Sequence, residues 1–298
     1  MHRIECWYLE AVRVMQDKEH RQYRVRNGLW NQYRRLFSEI RFRTDQGRFI
    51  LRTNDRSARA MYIARGYERE MLAAAMVVAR SITGKSKGTG GILDVGANIG
   101  QTSIAAIVTR EVRWAYAFEP DILSFQTLLR NIRLNALSSS VSAVNKAVSD
   151  SSRRTQMEIC PTSSGDHRVV ANGKHAQPDR YGESGRRIVT VESTTLDNYT
   201  FVDLSIVWVD VQGHEGHVFL GGDRLLRSGV PTMAEIWPYG IYRSGMSKDQ
   251  FCRIVEGLWS EYWLWTGGEF VRHPISDMAS IFDALEGEVG HENVVFAQ

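Results

Sequence analysis

Cysteine is scarce in this chain. Its three cysteines, Cys6, Cys160 and Cys252, lie far apart, are odd in number, and include no C-x-x-C pair. That excludes a disulfide framework and a zinc ribbon, and it fits a reducing compartment, so a cytoplasmic location is expected. Long apolar runs are missing too. No apolar stretch reaches the roughly 18 residues that cross a bilayer, so no transmembrane segment is expected. Between Met1 and Met15, the charges of Arg3, Glu5, Glu10 and Arg13 interrupt the apolar core that a signal peptide needs. Net charge is small, at +3, which by itself gives no reason to expect a nucleic-acid partner. No internal repeat is present.

Apolar residues are plentiful. The 298 residues are 43% hydrophobic and include eight tryptophans, enough for one large α/β domain with an appendage or for two small domains. Charge is uneven. Residues 1–70 hold 16 Lys and Arg against 9 Asp and Glu, and the remainder is slightly acidic. Such a segment favours an anionic partner or is a solvated, Arg-rich helical face. Residues 4–37 read as helical, with Ile4, Trp7, Ala11, Val14 and Met15 near one side and a break at Asn27-Gly28. A lone helix of this kind cannot bury Trp7 without a partner. The partner is the chain's own core, a second subunit in a homodimer, or a membrane surface, and a helical cap over the core is the preferred reading.

Arg41 to Thr53 reads as a hairpin around Asp45-Gln46-Gly47, and Tyr67 to Arg80 as a helix. From Gly91 onward, strands alternate with helices. Strands are expected at 91–95, 114–118, 141–148, 205–211, 232–237, 262–266 and 293–297, with extra strands near 155–160 and 188–191. This order implies a doubly wound, mainly parallel sheet with an N-terminal helical and hairpin extension. Pro161 to Arg187 is long, polar and glycine-rich, and reads as a substrate lid or a surface insertion.

Three constellations carry chemistry. In the first, Asp94 ends a strand and is followed by Gly96, Asn98 and Gly100, while Glu119 ends the next strand. Two strand-end acids around a glycine turn form a nucleotide cleft, in which the second acid accepts ribose hydroxyls. The glycines are spaced G-x-x-x-G rather than G-x-G-x-x-G, and Asp94 would repel a pyrophosphate. A cationic cofactor without phosphate suits the loop better, and S-adenosylmethionine is such a cofactor. Lys146 and Ala147, after the third strand, are expected at the adenine edge. The second constellation is Asp210, His214 and Glu215 after the apolar run at 205–211. Asp210 or His214 is a candidate general base, and Glu215 is a candidate to orient the histidine or hold substrate. A divalent metal shared by Asp210 and Glu215 is conceivable but not favoured. His214 and His217 are not spaced as zinc ligands of an H-E-x-x-H helix. The third is Glu235, an acid in an apolar strand, followed by Trp237 and Tyr239, with Tyr242 beyond, as candidate substrate contacts.

These segments resemble the FkbM family of S-adenosylmethionine-dependent methyltransferases. The resemblance rests on LDVGANIG at 93–100, AFEPD at 117–121, LLRNIRLNAL at 128–137, VNKAVSD at 144–150, TLDNY at 195–199, VDVQGHEGHVFLGGDRLL at 209–226 and AEIWP at 234–238. GYERE at 66–70 is similar to a short family element ahead of the core. The likeness covers roughly residues 40–298, which sets a methyltransferase domain at 41–298 and an extension at 1–40. It implies a Rossmann-like class I fold and O-methylation of a glycan or natural product. Trp208 and Gln212 stand where the family often has Lys and Glu. Other readings are an NAD-dependent oxidoreductase and a cofactor-binding module without activity.

Overall fold

The structure, a computed structural model, describes residues 21–66, 68–170, 179–285 and 290–298. Residues 21–36 form a helix, α1. The hairpin follows as β1 (Glu39–Thr44) and β2 (Gly47–Arg52), with Thr44 opposite Gly47. Then come α2 (Arg56–Ala64) and α3 (Arg69–Thr83). Asn27-Gly28 does not break α1. Glycine costs a helix about 1 kcal/mol relative to alanine. Trp30, only 1% exposed, packs into a cluster with Phe49, Leu51, Met61 and Ile104, and that burial outweighs the cost. Ile4, Trp7, Ala11, Val14 and Met15 lie outside the described residues.

The core begins at β3 (Gly91–Val95), followed by α4 (Gln101–Val108), β4 (Trp114–Phe118), α5 (Ile122–Leu134) and β5 (Val141–Val144). The chain then leaves the main sheet. It builds a smaller one from β6 (Ala147–Val148), β7 (Arg154–Ile159), β8 (Arg168–Val170) and β9 (Arg187–Thr194), in the order β6-β9-β7-β8. The run at 141–148 is therefore two strands in two sheets rather than one. It returns as β10 (Leu204–Val209), α6 (Glu215–Gly221), α7 (Asp223–Leu226), β11 (Thr232–Ile236), α8 (Pro238–Arg243), α9 (Lys248–Leu258), β12 (Glu261–Trp265), β13 (Phe270–Pro274), α10 (Met278–Ala284) and β14 (Glu292–Ala297).

The main sheet runs β13-β12-β14-β11-β10-β3-β4-β5. From β11 to β5 all neighbours are parallel, while β14 is antiparallel to both β11 and β12. Alternation with period two sorts the strands between two cores. Ile92, Ile206 and Trp208 face α3, α4 and α5 through Met76, Ala105 and Leu128. Leu93, Val95, Val207 and Val209 face the other helices through Val218, Ile241, Phe251 and Phe282. The fold is thus a doubly wound, mainly parallel α/β sheet of the Rossmann-like type. Connections diverge from β3 to β4 on one side and arrive at β10 on the other, so the ends of β3 and β10 flank a topological switch point, where such sheets bind ligands.

Candidate active site

Asp94 is the last polar group inside β3 and is buried. Its Oδ2 accepts hydrogen bonds from Ser103 N (3.0 Å) and Ser103 Oγ, so it holds the first turn of α4. Burial pushes its carboxyl up to about 7, with Asp210 adding to the rise. Gly96 has φ +91°, and a Cβ there would stand 1.9 Å from the Asp210 carbonyl oxygen, so only glycine lets the ends of β3 and β10 approach. Asn98 is also left-handed, at φ 49°, and its Oδ1 is buried without a partner. Gly100 caps α4 from behind the cavity at φ +87°, against Leu128.

Glu119, after β4, closes the loop. Its Oε2 accepts Asn98 N (2.8 Å) and its Oε1 accepts Asp121 N (2.7 Å). Each oxygen keeps acceptor capacity for a ligand. Burial raises its carboxyl to about 8, helped by Asp121 and Asp94. Asn145 donates to the carbonyls of Glu119 (2.8 Å) and Pro120 (3.0 Å), fixing the turn that carries the acid. Asp94, Gly96, Asn98, Glu119, Lys146, Ala147 and Asp210 all line one cavity.

The end of β10 divides the second constellation. Asp210 N donates to Val95 O (3.0 Å), and Asp210 Oδ1 accepts Gln212 Nε2 (2.7 Å). Burial raises the Asp210 carboxyl. Gln212 Nε2 also lies 3.4 Å from Glu235 Oε1, so one amide spans two acids. His214 does not reach the cavity wall. Its Nε2 is hydrogen-bonded to Ser149 Oγ (2.9 Å), its ring stacks on His217 at 4.3 Å, and burial drives it well toward the neutral form. Glu215 is also away from the wall and fully buried. Its Oε1 accepts Val211 N (3.1 Å) and Gly213 N (3.2 Å), so it shapes the loop after β10 rather than orienting His214, and burial lifts its carboxyl to about 8. Among the described residues, no group of three or more His, Cys, Asp or Glu is arranged to hold a metal ion.

The described parts of Pro161 to Arg187 form a roof. Ser164, Gly165, His167 and Val169 line the cavity beside Met157 of β7. Asp55 ties this roof to α2: Oδ1 caps Ser57 N (2.8 Å) and Ala58 N (3.1 Å), while Oδ2 accepts Ser164 N (3.0 Å). His167 Nδ1 accepts Cys160 N (3.1 Å), which leaves the proton on Nε2, 3.9 Å from Asp121 Oδ2. Burial lowers the pKa of His167 and favours that neutral ring. Neither Ser57 nor His167 stands out in the sequence. His167 sits in a segment that reads only as an insertion, and Ser57 in a helix too short for a clear period.

A second cleft adjoins the first, with Ser57 and Gln212 common to both. Glu235 and Trp237 line it. Burial holds the Glu235 carboxyl well above its usual range, reinforced by Asp210 and Glu215. The Trp237 ring is covered by the Arg168 guanidinium, 4.5 Å from its centre. Tyr239 is buried behind the wall, its hydroxyl donating to Glu183 Oε1 (2.9 Å), and Tyr242 packs on Phe282. These aromatic rings are therefore largely engaged by the protein itself.

Solved structures of low identity align with the chain. A methyltransferase FkbM from Methylobacillus flagellatus aligns at 15% identity over 80% of this chain and 52% of that one, with a TM-score of 0.44. The chain therefore spans about half the length of that protein. A precorrin-6y C5,15-methyltransferase from Geobacter metallireducens aligns at 11% identity over 75% of this chain and 87% of that one, TM-score 0.38. TYW2 from M. jannaschii, solved with AdoMet, aligns at 10% identity over 87% and 85%, TM-score 0.38. No curated protein sequence matches. The profile of the methyltransferase FkbM domain matches residues 94–259, a span that begins at the strand-end Asp94, takes in Glu119 and Asp210, and covers more than half of the chain. On that match, the chain belongs to the FkbM methyltransferase family.

Proposed function

We propose that the chain is an S-adenosylmethionine-dependent O-methyltransferase acting on a glycan or small natural product. The carrying observation is the acceptor-rich wall of the first cavity: Asp94, Glu119 and Asp210, with the unpartnered Asn98 Oδ1. Such a wall fits a cationic cofactor that offers ribose hydroxyls and an ammonium group. It fits poorly with the pyrophosphate of NAD. Glu119 would accept the ribose hydroxyls, Asn98 and the backbone near Gly96 would hold the methionine end, and Lys146 and Ala147 would border the adenine. Bound there, S-adenosylmethionine supplies an electrophilic methyl group whose leaving group is a neutral thioether.

The chain's remaining task is to align an acceptor hydroxyl and take its proton. Alignment is worth roughly 7–11 kcal/mol in well-oriented systems, and a general base adds typically about 10²–10⁴-fold. Asp210 is our candidate base. It borders the cavity, its burial strengthens it as a proton acceptor, and Gln212 fixes one of its oxygens. Titration calorimetry with S-adenosylmethionine and with NAD tests the cofactor, and binding of NAD alone would overturn the reading. Asp210→Asn should lower kcat by about 10²-fold or more while cofactor affinity stays within a few fold. Wild-type turnover in that variant would move the base elsewhere, with Glu235 next. Cofactor binding without any methylated product would instead mark a binding module.

A further inference from the structure

Residues 21–66 hold twelve arginines, no lysine and three acids. All three acids are engaged within the protein. Glu39 accepts two bonds from the Arg130 guanidinium (2.8 and 2.7 Å), Asp45 pairs with Arg69, and Asp55 caps α2. The positive charge gathers on one face of the hairpin. Strand register sets Glu39 opposite Arg52, Arg41 opposite Ile50 and Arg43 opposite Arg48 on the outward face, while Phe49 and Leu51 turn inward to the cluster of Trp30. Like charges directly opposite on an antiparallel pair destabilise it. Arg41, Arg43 and Arg48 are exposed, and no carboxylate among the described residues lies within ion-pair distance of them. Through Glu39 and Arg52 this face continues into a groove at the end of α1, which Arg34, Arg35, Leu36 and Phe37 also line. The dipole of α1 favours Arg34 and Arg35 at its C-terminal end. No such effect supports Arg43 beside Arg48. Leu36 and Phe37 stand among these cations at 72% and 54% exposure and join none of the apolar clusters of the described residues.

We infer that this face docks on an anionic phospholipid surface. Guanidinium groups bind phosphates through paired hydrogen bonds, which suits a segment that uses arginine without lysine. Leu36 and Phe37 then bury at the acyl boundary while the arginines stay in the head-group layer. A nucleic acid would take the arginines and leave both apolar side chains in water. A second copy in a symmetric dimer would set like charge against like. The test sediments the full-length chain with phosphatidylcholine vesicles and with vesicles in which phosphatidylserine replaces part of that lipid. A filter assay measures binding of a uridine homopolymer in parallel. The chain should pellet with the anionic vesicles alone and be released progressively as salt rises. The Arg43→Gln, Arg48→Gln double variant should need about tenfold or more lipid for the same bound fraction. Its melting temperature should hold or rise, because the opposed charges are gone. Leu36→Ser with Phe37→Ser should also weaken sedimentation, with melting temperature and S-adenosylmethionine affinity unchanged. Equal pelleting with neutral vesicles, none with anionic ones, or wild-type binding by the arginine variant would overturn the inference. So would a chain that binds the homopolymer and leaves anionic vesicles in solution, a result that assigns the face to nucleic acid. The methyltransferase reading stands or falls apart from all of these results.

Discussion

Three buried carboxyls, Asp94, Glu119 and Glu215, do different work although all are drawn toward their protonated forms. Asp94 holds α4 through Ser103, Glu215 folds the loop after β10, and Glu119 presents spare acceptor capacity to the cavity. Glu119→Ala should weaken S-adenosylmethionine binding by about 1.5–3 kcal/mol, the range for hydrogen bonds to a charged group. Unchanged affinity by calorimetry in a folded variant would refute the ribose assignment. The same carboxyl predicts a pH effect. Its folded pKa of about 8 lies above its ordinary 4.5, so folding takes up a proton between those values. Stability from this group is fully present below 4.5 and is lost as pH rises through about 8. The melting temperature of the ligand-free protein should therefore fall between about pH 5 and 8.5, and fall less steeply in Glu119→Gln. Parallel slopes in scanning calorimetry would show that the carboxyl is not the source. Strand-end acids such as Asp94, Glu119 and Asp210 were legible because an acid closing an apolar run has few structural uses. The burial of His214 was not legible, since spacing says nothing of whether a loop side chain turns toward a cleft or toward Ser149. His167 was hidden for a related reason: its position depends on how an irregular segment folds back over the sheet.

Hydrogen bonds between side chain and backbone join the elements around the cavity. Asn131 of α5 and Asn135, the residue that caps its C-terminus, sit one turn apart and act as a partner strand to β2. Asn131 Oδ1 accepts Ile50 N (2.7 Å), and Asn135 exchanges bonds with Arg48 N (2.8 Å) and Arg48 O (2.7 Å). Asn131 Nδ2 also donates to Ile99 O (2.9 Å), inside the glycine loop. One residue thus couples the hairpin, α5 and the candidate cofactor site. Asn131→Ala leaves two buried backbone groups unpaired, each costing about 1–3 kcal/mol. A clear drop in melting temperature, with weaker cofactor binding, is the expected result, and a variant with wild-type values in both would deny the coupling. Asp55→Ala should act on the roof in the same way. Loss of the α2 cap costs typically about 1 kcal/mol, and Ser164 N loses its acceptor with it. Long periodic elements were readable, from β3 and β4 to α5 and β10. Shorter ones were not. The nine residues of α2 and the three of β8 are too few to establish a period. β13 is the edge strand of the sheet and buries none of its residues fully, so with Arg272 and His273 side by side it shows no apolar alternation.

At the scale of the whole molecule, the sheet supplies the crevice and the added segments close it. The excursion between β5 and β10 forms the roof, and the N-terminal layer braces it from α2. No helix among the described residues is long and apolar enough to cross a membrane. We propose that residues 1–40 are an extension on a methyltransferase domain at 41–298, and that the extension serves as a cap. Trp30 is the support for this. It packs with Tyr62 at 5.4 Å and shares its cluster with Ile99 of the glycine loop and Ile104 of α4. Arg26 Nη1 donates to Ile63 O (2.7 Å), and Arg59 Nη2 to Asn27 Oδ1 (2.7 Å), so α1 is also stitched to α2 by polar contacts. Truncating a buried tryptophan to alanine typically costs about 3–5 kcal/mol. Trp30→Ala should therefore lower the melting temperature, and it should also weaken cofactor binding, because the void opens beneath the loop that carries Asn98. Deletion of residues 1–36 should do at least as much. Oligomeric mass, measured by light scattering on the same samples, separates the two ways this could arise. A monomer at both lengths attributes the loss to the cap alone, whereas a dimer that dissociates on truncation assigns part of it to a second subunit. If the truncated chain keeps its melting temperature, its mass and its cofactor affinity, residues 1–36 are a tail and the cap proposal is wrong.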